Sequence, residues 1–120
     1  MVRESTVSRR GELYRDAIAV IELRYAEDDL SLQTVARAIA TSRRQLQRAF
    51  AETGGTSFRR ELQRVRMVRA AELLREGSLS VQAVAGAVGY RQAAQFAKAF
   101  RRHYGAPPSA FRDDDQRLAA

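Results

Sequence analysis

The 120-residue sequence contains no cysteine, and it has only one histidine and one lysine. Without cysteine, the chain has no disulfide framework, no thiolate zinc site, no thiol nucleophile and no acceptor for alkyl transfer to sulfur. No apolar run approaches the roughly 18 residues of a membrane span, and the polar start, residues 1–12, does not resemble a signal peptide. We therefore expect one or two small domains acting in the cytoplasm.

Catalytic groups are equally scarce. His103 and Lys98 are the only residues of their types, and the serines and glutamates occur without a base partner. The acidic run Asp113–Asp115 could suggest a metal site, but a solvated tail or a helix cap explains it better. The sequence predicts that the chain is not an enzyme and that it carries no cofactor and no metal.

Positive charge is abundant and concentrated in one block. The chain has 21 basic and 14 acidic residues, a net charge of +7, and 20 of the basic residues are arginine. Residues 30–112 carry a net charge of +11, whereas residues 1–29 and 113–120 each carry −2. Arginine forms bidentate hydrogen bonds with phosphate and guanine. The pattern favours a polyanionic partner, most often nucleic acid, over a solvated basic surface.

The basic block contains an internal repeat. Residues 30–40 align with residues 79–89 at an offset of 49, with six of eleven pairs identical. After one inserted residue the offset becomes 50, so that Phe50 and Gly55 align with Phe100 and Gly105. The chain therefore contains two copies of one unit of about 30 residues.

Each copy has the pattern of two short helices joined by a tight turn. Ser31 and Ser80 are suited to cap the first helices, and each is followed by an apolar stripe with helical spacing. In the first copy, Ser42 begins the second helix, with Gln45 completing a capping box. In the second copy, Gln92 or Ala93 begins it. These patterns predict two helix-turn-helix units.

The remaining segments also have helical patterns, and no segment has a strand pattern. We predict an all-α fold of about seven helices, with a first helix from Leu13 to Tyr25 and a last helix from Ser109 to Leu118. The predicted organisation is a polar N-terminal tail at 1–12, a first helix-turn-helix subdomain at 13–57, a linker helix at 58–77, a second subdomain at 78–112 and an acidic tail at 113–120. The linker would span roughly 28 Å. One turn of B-DNA measures about 34 Å, so that the two units could enter successive major grooves.

Exposed polar positions on the second helix of each unit are the candidate DNA contacts. Arg44, Gln47 and Arg48 share one helix face, and arginine and glutamine can bond the edges of guanine and adenine. The alternative is a solvated polar face. On the second unit, Gln95 and Lys98 are the polar candidates, beside Ala93 and Ala94, whose methyl groups could touch thymine. The candidate phosphate contacts are Arg37, Ser42, Arg43, Arg59, Arg91, Gln92, Arg101 and Arg102. We expect Arg66 to be structural, in an ion pair with Glu61 or Glu72 or on a carbonyl.

The sequence from Leu13 to Arg112 resembles the AraC/XylS family of bacterial transcription regulators. The most specific matching stretch is Val84-Ala85, Val88-Gly89-Tyr90, Phe96, Lys98, Phe100, Gly105, Pro108 and Phe111-Arg112. The resemblance implies two helix-turn-helix subdomains that bind asymmetric DNA sites as a monomeric module and usually activate transcription. It also implies base contacts at Arg44, Gln47, Arg48, Ala93, Ala94, Gln95 and Lys98. The sequence departs from the family where Ala40-Thr41 replace the common glycine-aromatic pair.

We therefore expect a sequence-specific regulator of double-stranded DNA, located in the cytoplasm at the nucleoid. It would be either a small stand-alone member of the family or an excised DNA-binding portion, because seven helices leave no room for a sensor domain. A non-specific architectural DNA-binding protein remains a second hypothesis. A third hypothesis is an adaptor that docks on RNA polymerase. RNA polymerase is a candidate partner of a sequence-specific regulator as well.

Overall fold

A computed structural model describes residues 2–112, with side chains from residue 8 onward. In this part of the chain, seven helices and no strand form, which confirms the predicted all-α fold. The helices are α1 (Val2–Arg24), α2 (Leu32–Ala38), α3 (Arg43–Ala49), α4 (Phe58–Glu76), α5 (Val81–Ala87), α6 (Ala93–Tyr104) and α7 (residues 108–112). A π-helical turn, Phe50–Gly54, continues α3 directly. The predicted tail 113–120 and the predicted end of the last helix lie outside the described residues.

The chain forms two compact units, and the boundary between them lies inside α4, between Leu62 and Gln63. The short segment Ala26–Asp28 belongs with the second unit. The helical linker that we predicted at 58–77 is present as α4. Its first turn belongs to the first unit, because Phe58 stacks edge-on against Phe50 at 6.1 Å. The other sequence-based domain limits remain predictions.

In the first unit, α1 packs against α2, α3 and the π-helical turn. The core is formed by apolar residues that recur every three or four positions on these helices: Leu13, Ala17, Ile21, Val35, Ala36, Leu46, Ala49 and Phe50. Tyr14 adds an edge-on ring contact to Phe50 at 5.4 Å. This contact needs a glycine at position 54, since a Cβ there would lie 2.7 Å from Cζ of Tyr14.

The first helix begins earlier than the sequence indicated. We predicted a polar tail at 1–12 and a helix from Leu13, but α1 is helical from Val2. The prediction was wrong because it followed the apolar stripe, which begins at Leu13. Upstream of it the sequence has no proline, and a single glycine, Gly11, costs a helix only about 1 kcal/mol. Arg10 also forms an ion pair with Glu52 on the π-helical turn, which holds this part of α1 on the unit.

In the second unit, α5 packs against α6, and aromatic rings of α6 and α7 form a cluster. Two residues of α4 contact this cluster, Met67 through its carbonyl oxygen to Tyr104 and Arg75 over the ring of Phe111. Phe96 and Phe100 are completely buried on α6. On α7, the centre of the Phe111 ring lies 5.4 Å from that of Phe100 and 5.3 Å from that of Tyr104. Arg112 donates hydrogen bonds to the carbonyl oxygens of Leu74 and Leu79. These contacts hold the family's Phe-Arg pair in place.

The two copies of the repeat have the same turn geometry. In each copy the first helix ends with two backbone hydrogen bonds, one nested inside the other. In the first copy they run from Thr41 N to Ala36 O and from Ala40 N to Arg37 O. In the second copy they run from Tyr90 N to Ala85 O and from Gly89 N to Gly86 O. This is the Schellman arrangement, in which the residue after the cap takes left-handed φ. Gly89 has φ of 96°, and Ala40, its counterpart, has φ of 55°. The turn therefore forms even where alanine replaces glycine.

Candidate nucleic-acid interface

The hydroxyl of Ser42 fixes the start of α3. Its Oγ accepts a hydrogen bond from the backbone N–H of Gln45 at 3.1 Å. Instead of closing the predicted capping box, the Gln45 side chain accepts a hydrogen bond from the hydroxyl of Thr41 at 3.0 Å. Ser42 is thus an N-cap whose hydroxyl satisfies one amide of the first turn, and any phosphate contact would use the remaining hydrogen of that hydroxyl.

One face of α3 is buried and the other is exposed. Leu46 and Ala49 are completely buried. The opposite face carries three exposed side chains within about one helical turn, those of Arg44, Gln47 and Arg48. Their side chains offer guanidinium donors and a carboxamide to the surroundings, and these groups can form bidentate hydrogen bonds with base edges.

The corresponding face of α6 is smaller and less polar. Gln95, Lys98 and Ala94 are exposed, whereas Ala93 is half-buried at the first position of the helix. Gln92 is the N-cap residue, with an extended backbone and no capping hydrogen bond from its side chain. Of the two predicted starts, Ala93 is therefore the first helical residue. This face has two polar side chains where α3 has three.

The predicted phosphate contacts are exposed around these two helices. On the first unit they are Arg37, Ser42, Arg43 and Arg59; on the second they are Arg91, Gln92, Arg101 and Arg102. Beside Arg59, an open groove is lined by Ala51, Gly55, Thr56, Ser57 and Arg60. Ser57 caps α4 there by accepting a hydrogen bond from the N–H of Arg60 at 3.2 Å. Each unit therefore presents basic side chains next to its exposed helix face.

One of the predicted phosphate contacts is already engaged by an acidic residue. Arg91 donates from Nε to Oδ2 of Asp28 at 2.7 Å and from Nη2 to Oδ1 at 3.4 Å. These hydrogen bonds lower the pKa of the Asp28 carboxyl below its ordinary value of 3.8, so that it is ionised at neutral pH. The sequence did not reveal this pair because 63 positions separate its members.

Arg66 is structural, as the sequence indicated. Its Nη2 donates to the carbonyl oxygen of Glu27 at 2.8 Å, and its guanidinium lies 5.6 Å from the centre of the Tyr90 ring. Burial lowers the pKa of Arg66 below its ordinary value. Of the expected partners, the structure shows a backbone carbonyl, that of Glu27, which links the segment after α1 to α4.

The comparisons with known proteins give this arrangement a family. Residues 35–114 match the family model described as "Helix-turn-helix domain". The regulatory protein PocR of Salmonella typhimurium is 33% identical over 113 residues, which cover 91% of this chain and 37% of PocR. The C-terminal domain of AraT, a response regulator from Geobacillus stearothermophilus, superposes with a TM-score of 0.83 at 32% identity, covering 85% of this chain and 84% of that domain. The chain belongs to the AraC/XylS family of transcription regulators.

A third relative of this AraC/XylS member was solved on nucleic acid. The DNA-binding domain of AdpA, a global transcriptional factor, was solved in complex with a target DNA. It superposes with a TM-score of 0.78 at 29% identity, covering 84% of this chain and 90% of that domain. The chain spans only 27% to 37% of the length of the first curated relatives that it matches.

Residues 2–112 offer neither a membrane-spanning helix nor a metal-binding cluster. Within residues 2–112, no helix has both the length and the apolar composition needed to cross a bilayer. The same part of the chain contains no group of three or more His, Cys, Asp or Glu that could hold a metal ion. The predicted acidic run Asp113–Asp115 lies outside the described residues.

Proposed function

We propose that this AraC/XylS domain binds a specific sequence of double-stranded DNA and that it regulates transcription from the neighbouring promoter, usually as an activator. The proposal is supported above all by the exposed face of α3, where Arg44, Gln47 and Arg48 stand opposite a fully buried helix face. The complex of the AdpA domain with its target DNA supports the same mode of binding.

In this proposal α3 and α6 are recognition helices that enter successive major grooves. Arg44, Gln47 and Arg48 contact base edges from α3. Gln95 and Lys98 contact bases from α6, with the methyl groups of Ala93 and Ala94 against thymine or sugar. The exposed arginines beside the two helices, apart from Arg91, neutralise phosphates and set the orientation of the protein without reading sequence.

The unit that binds is proposed to be monomeric, because the two helix-turn-helix units differ and together supply two recognition helices. Its site of action is proposed to be the nucleoid in the bacterial cytoplasm, with no catalytic step and no cofactor. Contact with RNA polymerase would follow from binding beside a promoter.

Selection of bound sequences from a random duplex pool, followed by competition, tests the main proposal. A specific regulator should prefer its selected site over random duplex by about 10³-fold or more at physiological salt. Equal competition by random duplex would favour the architectural alternative instead. An adaptor that docks on polymerase would show negligible DNA affinity at about 100 mM salt and a weak dependence on salt.

The base contacts need a test that separates them from phosphate contacts. We expect Arg44→Ala to cost about 1–3 kcal/mol of binding free energy at the selected site and to relax the preference at particular base pairs. Arg15→Ala is the matched control, since it removes the same charge from an exposed position on α1. An equal loss on every sequence, with a salt slope reduced by about 0.9, would reassign Arg44 to a phosphate contact.

A further inference from the structure

The start of the second recognition helix is held by an acidic residue from a distant part of the sequence. Arg91 immediately precedes Gln92, the N-cap of α6. Its guanidinium contacts both carboxylate oxygens of Asp28, through Nε at 2.7 Å and through Nη2 at 3.4 Å. The Arg91 side chain is 70% exposed and that of Asp28 is 43% exposed, so that water and a DNA phosphate can both reach the pair.

A second contact anchors the short segment that carries Asp28. The carbonyl oxygen of Glu27 accepts a hydrogen bond from Arg66, which is half-buried and lies over the ring of Tyr90. Residues 27 and 28 are therefore fixed beside residues 90 and 91. The positive charge of Arg66 also favours the ionised form of Asp28.

An arginine paired in this way contributes little to DNA binding. The two charges form a neutral pair, because Asp28 occupies the Nε–Nη2 edge of the guanidinium. A phosphate oxygen would meet only the remaining N–H groups, beside a carboxylate whose negative charge repels it. Non-specific DNA affinity depends mainly on how many phosphates the protein neutralises with free cations. A carboxylate on Arg91 therefore removes one cation from that number.

We propose that Asp28 is a positioning residue that withholds Arg91 from the DNA backbone and thereby limits the affinity of the second recognition helix for phosphate. The inference rests on the proposed function, because it concerns how strongly the chain binds duplex DNA. It assigns to the acidic segment after α1 a role in binding that its charge alone would not suggest.

The experiment measures the affinity for a labelled random-sequence duplex over a series of salt concentrations at neutral pH. Asp28→Asn should steepen the slope of log K against log salt by about 0.9 and tighten binding about five- to tenfold near 100 mM salt. Asp29→Asn is the matched control, because it removes the same charge one residue away, and it should leave the slope unchanged. Thermal unfolding of each variant checks that the fold is intact.

A second background shows whether the effect passes through Arg91. In Arg91→Gln, the further change Asp28→Asn should alter neither the slope nor the affinity. The inference is wrong if Asp28→Asn leaves the slope at the wild-type value, or if its effect persists in the Arg91→Gln background. Failure of the wild-type chain to bind any duplex would instead overturn the proposed function, so that the two failures are distinguishable.

Discussion

The turn of the first helix-turn-helix unit contains a residue that the backbone geometry does not favour. Ala40 has a φ of 55°, in the left-handed region, and its counterpart in the second unit is Gly89. Both residues donate the inner hydrogen bond of a Schellman arrangement, Ala40 to the carbonyl of Arg37 at 3.1 Å. The change Ala40→Gly therefore keeps every hydrogen bond of the turn and removes only the steric conflict of the Cβ.

The expected gain follows from two opposing contributions. A non-glycine residue in the left-handed region costs about 1–2 kcal/mol. Glycine loses more backbone entropy on folding, which opposes the change by about 0.4–1 kcal/mol. We therefore expect Ala40→Gly to raise the free energy of unfolding by about 0.5–1 kcal/mol, and to raise the Tm by about 2–6 °C.

Urea unfolding followed by circular dichroism measures this difference, and the reciprocal change is its control. Gly89→Ala should destabilise by more than Ala40→Gly stabilises, because Gly89 is buried and its φ of 96° lies beyond the left-handed basin that alanine tolerates. If Ala40→Gly lowers the free energy of unfolding, the strain at this turn is not what the backbone angle indicates, and the reasoning fails.

Three further changes test the caps of α3 and α6 and a hydrogen bond between α6 and α4. Ser42→Ala should lower the free energy of unfolding by about 1 kcal/mol, because it removes the capping hydrogen bond of α3. Gln92→Ala should change it by less than about 0.5 kcal/mol, because the N-cap of α6 makes no such bond. Urea unfolding of both variants measures the difference. Tyr104 donates a hydrogen bond to the carbonyl of Met67 at 3.3 Å, and burial raises its pKa above the ordinary 10.0. The folded state thus holds the phenol proton more tightly than the unfolded state does. The contribution of Tyr104 to the free energy of unfolding is therefore complete below pH 10.0 and is lost as the pH rises through the pKa of the folded state. Tyr104→Phe should cost about 0.5–1.5 kcal/mol at neutral pH and should flatten the alkaline loss of stability, and an unchanged alkaline slope would contradict the assignment.

The elements that were predicted correctly depend on residues close together in the sequence. Ser31, Ser42 and Ser80 cap their helices as expected. Each side chain accepts a hydrogen bond from the backbone N–H three residues later. The glycine at position 55 ends the helical run with φ of 61°. A cap, a left-handed glycine and an apolar stripe each depend on residues within one or two turns, so that the local sequence suffices to identify them.

The elements that it missed depend on contacts between distant positions or on the lack of a pattern. The start of α1 has no apolar stripe, and its anchor is the pair of Arg10 with Glu52. The pair of Asp28 with Arg91 joins two exposed charges, and nothing in a run of three acidic residues distinguishes the one that reaches an arginine. In the π-helical turn after α3, Gly54 leaves space for the ring of Tyr14, a contact between distant positions of the sequence. Such contacts become visible only once the backbone brings the residues together.

The two copies of the repeat agree where they build the fold and differ where they face solvent. The turn hydrogen bonds and most buried residues correspond pair by pair, as in Phe50 with Phe100. The caps of the first helices also correspond, Ser31 with Ser80, whereas Ser42 of α3 corresponds to Gln92, which makes no capping hydrogen bond. At the exposed positions of the second helices, Arg44 corresponds to Ala94, and Arg48 to Lys98. The two helices therefore present different hydrogen-bonding groups to the bases, most clearly where α3 has Arg44 and α6 has Ala94. The DNA site selected by this domain should have two dissimilar halves, the half read by α3 more sharply defined. A single short motif without a second half would show that only one of the two helices reads sequence.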